Sequence, residues 1–346
     1  MHKIVKAETR NNSIDMFRLL CACLVVAIHT SLLKEFYPNI SFFITQVVAR
    51  IAVPFFFCIA GYFYFKSLQK NDNVFLKYIK KILFIYIFWS IMHFLVGFSR
   101  GILLKNSLSE FSMTFIKNFF LGGFIPAGGF AYHFWFFPAL IFTVILFTGF
   151  YKLGIAKLFI ALSVIVHILL RFGRIYLNLF TYSQIIGTIF SFFYSGFFIG
   201  ISFFGAGCLT SILREKFNKL SKKSLFTTIL VIFIIYSAEI FATLKLKIGY
   251  ADIVPISGYL FLPIIVMLLL NNPLPNLKNV GSCCRVLSNF TYYSHLLFIA
   301  AFGFICDILK IEGSCTTRFT FVIICCCGFG FIIYKLNIKW LNKIVM

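Results

Sequence analysis

Ten stretches of this chain, at 16–33, 42–65, 76–98, 134–151, 155–171, 185–207, 225–244, 252–271, 289–309 and 317–335, are apolar over lengths that match a bilayer's hydrocarbon core. In hydrocarbon every backbone amide must bond within its own segment, so each run is predicted to be a helix. A barrel is excluded, because its strands would alternate apolar and polar residues over about ten positions. Composition agrees, with 61% of the 346 residues hydrophobic and only 12% charged, where soluble domains are apolar over about half their residues at most. The sequence therefore predicts an all-α, polytopic integral membrane bundle of about ten transmembrane helices. It is expected to be a single transmembrane domain over 1–346, with no separate soluble domain.

Lysine and arginine placement predicts orientation. With the N-terminus on the first side, the flanks and loops of that side carry twenty Lys and Arg residues, from Lys3 to Lys343, and the opposite side carries ten, among them Arg100 and Arg171. The excess predicts that both termini are cytoplasmic. The net charge of +22 then reads as topology signal and attraction to anionic membrane lipid. No soluble basic domain is seen to hold a nucleic acid, so none is expected as a partner. The first run is too long for a signal-peptide core and is expected to remain in the mature protein.

Against this background the polar residues inside the runs are conspicuous. Arg18 and His29 share the first run, 16–33, where a central Arg costs roughly 2.5–3.5 kcal/mol on insertion scales and normally faces a cavity. Eleven residues apart, they fall about three turns and roughly 16 Å from each other on nearly one helix face. Arg50 lies within the second run, followed by Pro54 and Gly61. Glu239 is the one acidic residue well inside a run. It must be protonated or matched with an Arg or His of another helix, and a structural ion pair with Arg50 or Arg18 stands beside catalysis as its reading. His93, His167 and His295 are expected as interhelical hydrogen-bonding groups, with His295 ranked first for function.

Lys77, Lys80 and Lys81 crowd the first-side end of the third run. They read either as a positive-inside anchor or as point charges for a phosphorylated cytoplasmic donor. Eight of the eleven cysteines lie in or beside apolar runs and are expected as packing residues. No spacing makes a zinc site, so no metal is assigned. The glycines of 121–130 match no phosphate-cradling loop and are expected in an external loop.

These residues resemble a known family. Ile14-Asp15-x-x-Arg18, ten residues and His29 resemble the opening signature of the acyltransferase-3 membrane family. Arg50-Ile-Ala-Val-Pro54-Phe-Phe-Phe-Cys-Ile-Ala60-Gly61 resembles its R-x-x-V-P-x-F-F-x-x-S-G helix, with Ala60 in place of Ser. Lys77 to Lys81 fall at its R-x-x-R motif, with Lys for Arg. His133-Phe-Trp135-Phe136 resembles its H-x-W-F element, and 288–295 (SNFTYYSH) resembles a compressed form of its late S-x-x-x-Y-L-x-H helix. The resemblance covers most of the chain.

The resemblance implies a membrane O-acyltransferase that moves an acyl group, taken as acetyl, from cytoplasmic acyl-coenzyme A (acetyl-coenzyme A) to an acceptor at the outer face. That acceptor would be a cell-envelope glycan or lipid-linked sugar. His29 would be base or acyl carrier, with Arg18 near the thioester, Asp15 as its motif neighbour and Glu239 as a further catalytic candidate. Lys77, Lys80, Lys81 and Arg50 would hold the donor, and His133, Trp135 and His295 the acceptor. Trp135 reads equally as an interfacial aromatic. A bacterial plasma membrane location follows from the same resemblance. Relatives of the family form the membrane half of vancomycin-resistance serine racemases, so transport of a serine-like amino acid stands as the alternative. No inverted repeat is evident to support it, and no racemase domain is seen after the last run.

Overall fold

The computed structural model describes residues 11–103, 107–122, 131–174, 196–217, 220–245, 254–274 and 278–345. Among them every regular element is helical. The first helix, α1, runs Asn12–Thr30, starting four residues before the apolar run because Asn11 caps it by accepting the Ile14 N–H. It stops at Ser31, whose left-handed backbone (φ 53°) returns its N–H to the carbonyls of Ala27 and Ile28.

The second helix, α2 (Pro38–Leu68), changes pitch along its length. An α-turn at Pro38–Phe42 gives way to a π-helix at Phe43–Val48, then to a 3₁₀ turn at Ala49–Ile51, then to α-helix at Ala52–Leu68. Pro54 interrupts the ladder at Arg50: it has no N–H for the Arg50 carbonyl, and its ring crowds that carbonyl.

The chain continues through α3 (Val74–Leu103), α4 (Leu108–Leu121), a 3₁₀ turn (Tyr132–Trp135), α5 (Phe136–Lys152) and α6 (Ala156–Arg174). Then follow α7 (Gly196–Phe217), α8 (Lys222–Lys245), α9 (Gly258–Asn271), α10 (Lys278–Leu309), α11 (Cys315–Leu336) and α12 (Lys339–Val345). Every predicted run holds a helix, and eight helices of the described residues are long and apolar enough to cross a membrane. The two others among the ten are α6 and α9. At 14 residues α9 reaches about 21 Å, short of a hydrocarbon core of about 30 Å. Residues 185–195 of the sixth run, and 123–130 of the expected external loop, lie outside the described residues.

Two helices escaped the apolar pattern. Phe111, Phe115 and Phe119 of α4, one helical face, lie on Phe94 and Tyr86 of α3, and the Tyr86 hydroxyl donates to the Phe119 carbonyl at 2.8 Å. In α12 the Ile344 carbonyl accepts the Trp89 indole N–H at 2.9 Å, and the Val345 carbonyl accepts from Asn289 at 2.7 Å.

The bundle is centred on α2 and α7, while α8 and α11 turn most of their surface outward. Backbones touch where α2 crosses α7: a Cβ at Gly61 would meet the Phe204 carbonyl, and one at Gly207 the Cys58 carbonyl. Small residues permit such approach in lipid, where packing rather than water drives helix association. The polar start of α1 is sewn to the end of α9. Asn11 and Asn12 side-chain amides donate to the Leu269 and Leu274 carbonyls, each at 2.9 Å, and the Ser13 hydroxyl to the Asn272 carbonyl at 2.7 Å. Carbonyls that α9 leaves unpaired at its C-terminus are thereby satisfied. All eleven cysteines are free thiols, buried or half-buried.

Candidate active site

Arg18 lines a cavity of about 470 Å³ on the side where α1 begins. Its guanidinium lies 3.8 Å from the Asp15 carboxylate, one turn back, and donates to the Asn289 side-chain carbonyl at 3.0 Å. Lys81 and Arg285 share the cavity with it. From α3 the lining residues are Val74, Tyr78, Lys81, Ile82 and Ile85, spaced by four, three, one and three along one helical face. Lys81 belongs to that face and lines the cavity; Lys77 and Lys80, expected beside it, lie off the face, and all three lysines are exposed. Arg285 falls outside the apolar run at 289–309, among the flanking charges of the first side. The helix begins at Lys278, and the spacing of Arg285, Asn289 and Tyr292 or Tyr293 would have revealed the shared face.

His29 lines a second cavity, about 410 Å³, with Arg50, Pro54, Tyr132, Trp135, His167 and Arg171 among its walls. Arg50, expected with the donor lysines, thus lies on the His29 side and not with Lys81. Gln46, in the π-helical segment, accepts from both Nε (3.1 Å) and Nη2 of Arg50. Arg171, counted by sequence as a flank charge, is almost completely buried at 1% exposure, so it belongs to the interior. Its Nε is 3.7 Å from Glu239, which also accepts the Ile256 N–H at 2.7 Å, the Ser257 N–H at 3.2 Å and the Ser257 hydroxyl at 2.9 Å. Glu239 therefore pairs with Arg171, where sequence offered Arg50 or Arg18. It anchors the segment before α9 and does not line the cavity. The His167 Nε2 is 3.1 Å from the Pro255 carbonyl.

Four imidazoles pack on one another in a row that starts at the His29 cavity. The rings of His29 and His295 stack with centroids 5.1 Å apart, His295 meets His133 at 4.7 Å, and His133 meets His93 at 5.2 Å. His133, His295 and His93 are buried. His295 Nδ1 faces the carbonyls of Thr291 (3.1 Å) and Tyr292 (2.9 Å), which only accept, so Nδ1 carries the proton. In neutral His295 the lone pair is then on Nε2, which has no hydrogen-bond partner among the described residues. His29 Nδ1 lies 2.6 Å from the Tyr132 hydroxyl. When Nδ1–H donates there, His29 Nε2 is left as a base. His93 and Tyr132 were not anticipated as members of this group. Among the described residues no cluster of His, Cys, Asp and Glu is arranged to hold a metal.

The wall between the cavities is thin. Trp135 lines the His29 cavity and Phe136 the Arg18 cavity; on α2, Pro54 lines the first and Phe56 the second. Tyr292, on the Arg18 side, packs on His133 at 5.8 Å between centroids and donates its hydroxyl to the His133 carbonyl at 3.0 Å. His133 and His295, expected in the acceptor cavity, stand in this wall.

Comparison with known proteins matches a family described as "Acyltransferase domain" to residues 11–337. An amino-acid racemase of Enterococcus faecalis is 28% identical over 350 residues, covering 97% of this chain and 47% of the relative. A serine/alanine racemase of Enterococcus gallinarum is 34% identical over 147 residues, covering 40% of this chain and 20% of the relative. The chain spans less than half the length of these relatives, and no solved structure matches it. Long apolar helices make it a multi-pass membrane protein, and the enterococcal source of the relatives fits a bacterial plasma membrane. The match over nearly all of its length places the chain in the acyltransferase-3 family.

Proposed function

We propose that the chain is a membrane O-acyltransferase in which an acyl-coenzyme A, taken as the acetyl form, occupies the Arg18 cavity and the acceptor hydroxyl enters the His29 cavity. One observation carries this reading: a cavity bearing three cations and a cavity bearing a base are lined by neighbouring residues of the chain, Phe136 and Trp135. Arg18, Lys81 and Arg285 suit the phosphates of a coenzyme, and the side where α1 starts is then the cytoplasmic one, in line with its excess of Lys and Arg. His29 accepts the proton of the acceptor hydroxyl as its oxygen attacks the thioester carbonyl carbon. The new C–O bond forms, the C–S bond breaks, and the coenzyme thiolate leaves to be protonated on the donor side. Tyr132 holds the His29 ring, and His295 and His133 buttress it. A cell-envelope glycan or lipid-linked sugar is the acceptor class in this reading.

The test is transfer of label from radiolabelled acetyl-coenzyme A by purified, lipid-reconstituted protein. His29→Ala is expected to lower transfer by about 10²–10⁴-fold, the usual contribution of a positioned base, with donor binding unchanged. Equal transfer by parent and variant removes His29 from the chemistry. Similarity to amino-acid and serine/alanine racemases supports a second reading, transport of a serine-like amino acid. Serine flux into vesicles that depends on Arg18 and Arg50, without label transfer, would select it.

A further inference from the structure

A third cavity, about 540 Å³, lies between α3 and α10. Val96 and Arg100 of α3, and Ala301 and Phe304 of α10, line it and are themselves exposed, so it is a groove open sideways to the lipid around the helices. On α3 its lining includes Trp89, Val96 and Arg100, seven and four residues apart on one face. On α10 it runs from Phe290 to Phe304. The rings of Trp89 and Phe290 meet at its inner end, 5.7 Å apart between centroids.

Helical rise sets its depth. Lys81 and Arg100 are nineteen residues apart on α3, about 29 Å, with no Asp, Glu, Lys or Arg between them. That length matches a hydrocarbon core of about 30 Å, so Arg100 stands at headgroup level on the side away from the start of α1. Trp89 lies eleven residues, about 16 Å, deeper. The groove therefore ends near the midplane and has the length of one leaflet. A helix of another chain would pack along α3 through both leaflets, whereas a lipid chain ends where this groove ends. The mouth is polar where the rest is apolar: Ser99 and Arg100 stand there, and among the described residues no carboxylate lines the groove. A guanidinium beside a hydroxyl suits a phosphate.

We propose that the groove binds one anionic phospholipid of the leaflet away from the start of α1. An acyl chain lies between α3 and α10 as far as Trp89, and the headgroup phosphate is held at Arg100 and Ser99.

Trp89 reports on its own occupant once the other two tryptophans, Trp135 and Trp340, are replaced by Phe. The full chain with both changes, in detergent, is titrated with phosphatidylglycerol brominated in its acyl chains, since bromine quenches an indole that it touches. Quenching is expected to saturate at one lipid per protein. Brominated diacylglycerol, with the chains and no phosphate, should need about fivefold more, and Arg100→Gln should raise the phosphatidylglycerol requirement by as much, the worth of one cation at an anionic lipid surface. Ala301→Phe, which fills the groove, should abolish saturable quenching. Native mass spectrometry of the unaltered protein should count one more retained phosphatidylglycerol than in Arg100→Gln or Ala301→Phe, and it decides if the double tryptophan change does not fold. The proposal is overturned if quenching does not saturate in protein that melts with the parent, if diacylglycerol quenches as well as phosphatidylglycerol, or if Arg100→Gln melts with the parent and changes nothing. Quenching by a brominated polyprenyl phosphate that phosphatidylglycerol cannot displace overturns it in favour of a lipid-linked intermediate.

Discussion

Trp135 and Phe136 are consecutive in the chain yet line different cavities, the indole facing the His29 side and the phenyl ring the Arg18 side. The arrangement follows from backbone pitch. Trp135 ends a 3₁₀ turn and Phe136 begins α5, so successive side chains leave the axis in different directions at the junction. The indole also lies against Gly196, where a Cβ would strike its ring. Consecutive residues thus line the two cavities at this point, and two aromatic rings fill the space on either side of the peptide that joins them.

Phe136→Ala should open that space. In reconstituted protein, hydrolysis of acetyl-coenzyme A without transfer is expected to rise severalfold while transfer falls. A variant that transfers and hydrolyses as the parent does would show that the ring does not separate the cavities.

The face spacing on α3 separates three lysines that sequence grouped together. Lys81→Ala and Arg285→Ala are each expected to weaken donor binding by about 10- to 100-fold, the range for loss of a charged hydrogen bond of about 1.5–3 kcal/mol. Lys77→Ala and Lys80→Ala, which do not line the cavity, should stay within about threefold, as surface charges away from a ligand do. Isothermal titration with coenzyme A measures all four.

Close approach of α2 and α7 at Gly207 leaves no room for a methyl group. Gly207→Ala should destabilise the bundle by about 1–3 kcal/mol, the usual cost of overpacking, read as a lower melting temperature in detergent. Gly149→Ala, where a Cβ meets nothing within 4 Å, serves as the control and should melt with the parent.

Glu35, between α1 and α2, joins the start of α11 by accepting the Thr316 N–H at 2.7 Å. Desolvation raises its carboxyl, but hydrogen bonding, led by that N–H, outweighs it and holds the group down to about 2. A carboxyl lowered on folding contributes stability that is complete above its unfolded value, about 4.5, and is lost as pH falls toward 2. The melting difference between parent and Glu35→Gln should therefore be constant from pH 5.5 to 8 and shrink only below about 4.5. A difference that changes between pH 6 and 8 would point to another titrating group.

Fold class and most helices were legible because lipid imposes one local rule, a long apolar run, on every spanning helix. The rule has no grip on α4 and α12, which are short and held by aromatic and carbonyl contacts to distant residues such as Tyr86 and Trp89. Within the site, Arg18 and His29 were visible because each is costly where it stands. Arg285 and Arg171 were hidden because both lie near helix ends, where an arginine reads as an ordinary flanking charge. The burial of Arg171 and the place of Arg285 in a cavity wall depend on which helices close over them. The partner of Glu239 was out of reach for the same reason: the sequence shows that a buried carboxylate needs a cation, and only the packing of α6 against the segment before α9 chooses Arg171.

The change of pitch in α2 makes the register of that helix a functional variable. A π-helical segment holds one residue more per turn than its α-helical neighbours allow for, so removal of one residue within Phe43–Val48 would return that segment to α pitch. The stretch before it would then swing by about 100° relative to Arg50. Phe42 and Phe43 would turn away from Phe241 and Phe233 of α8, and a protein with every side chain of both cavities intact would have lost a seam that seats α2 in the bundle.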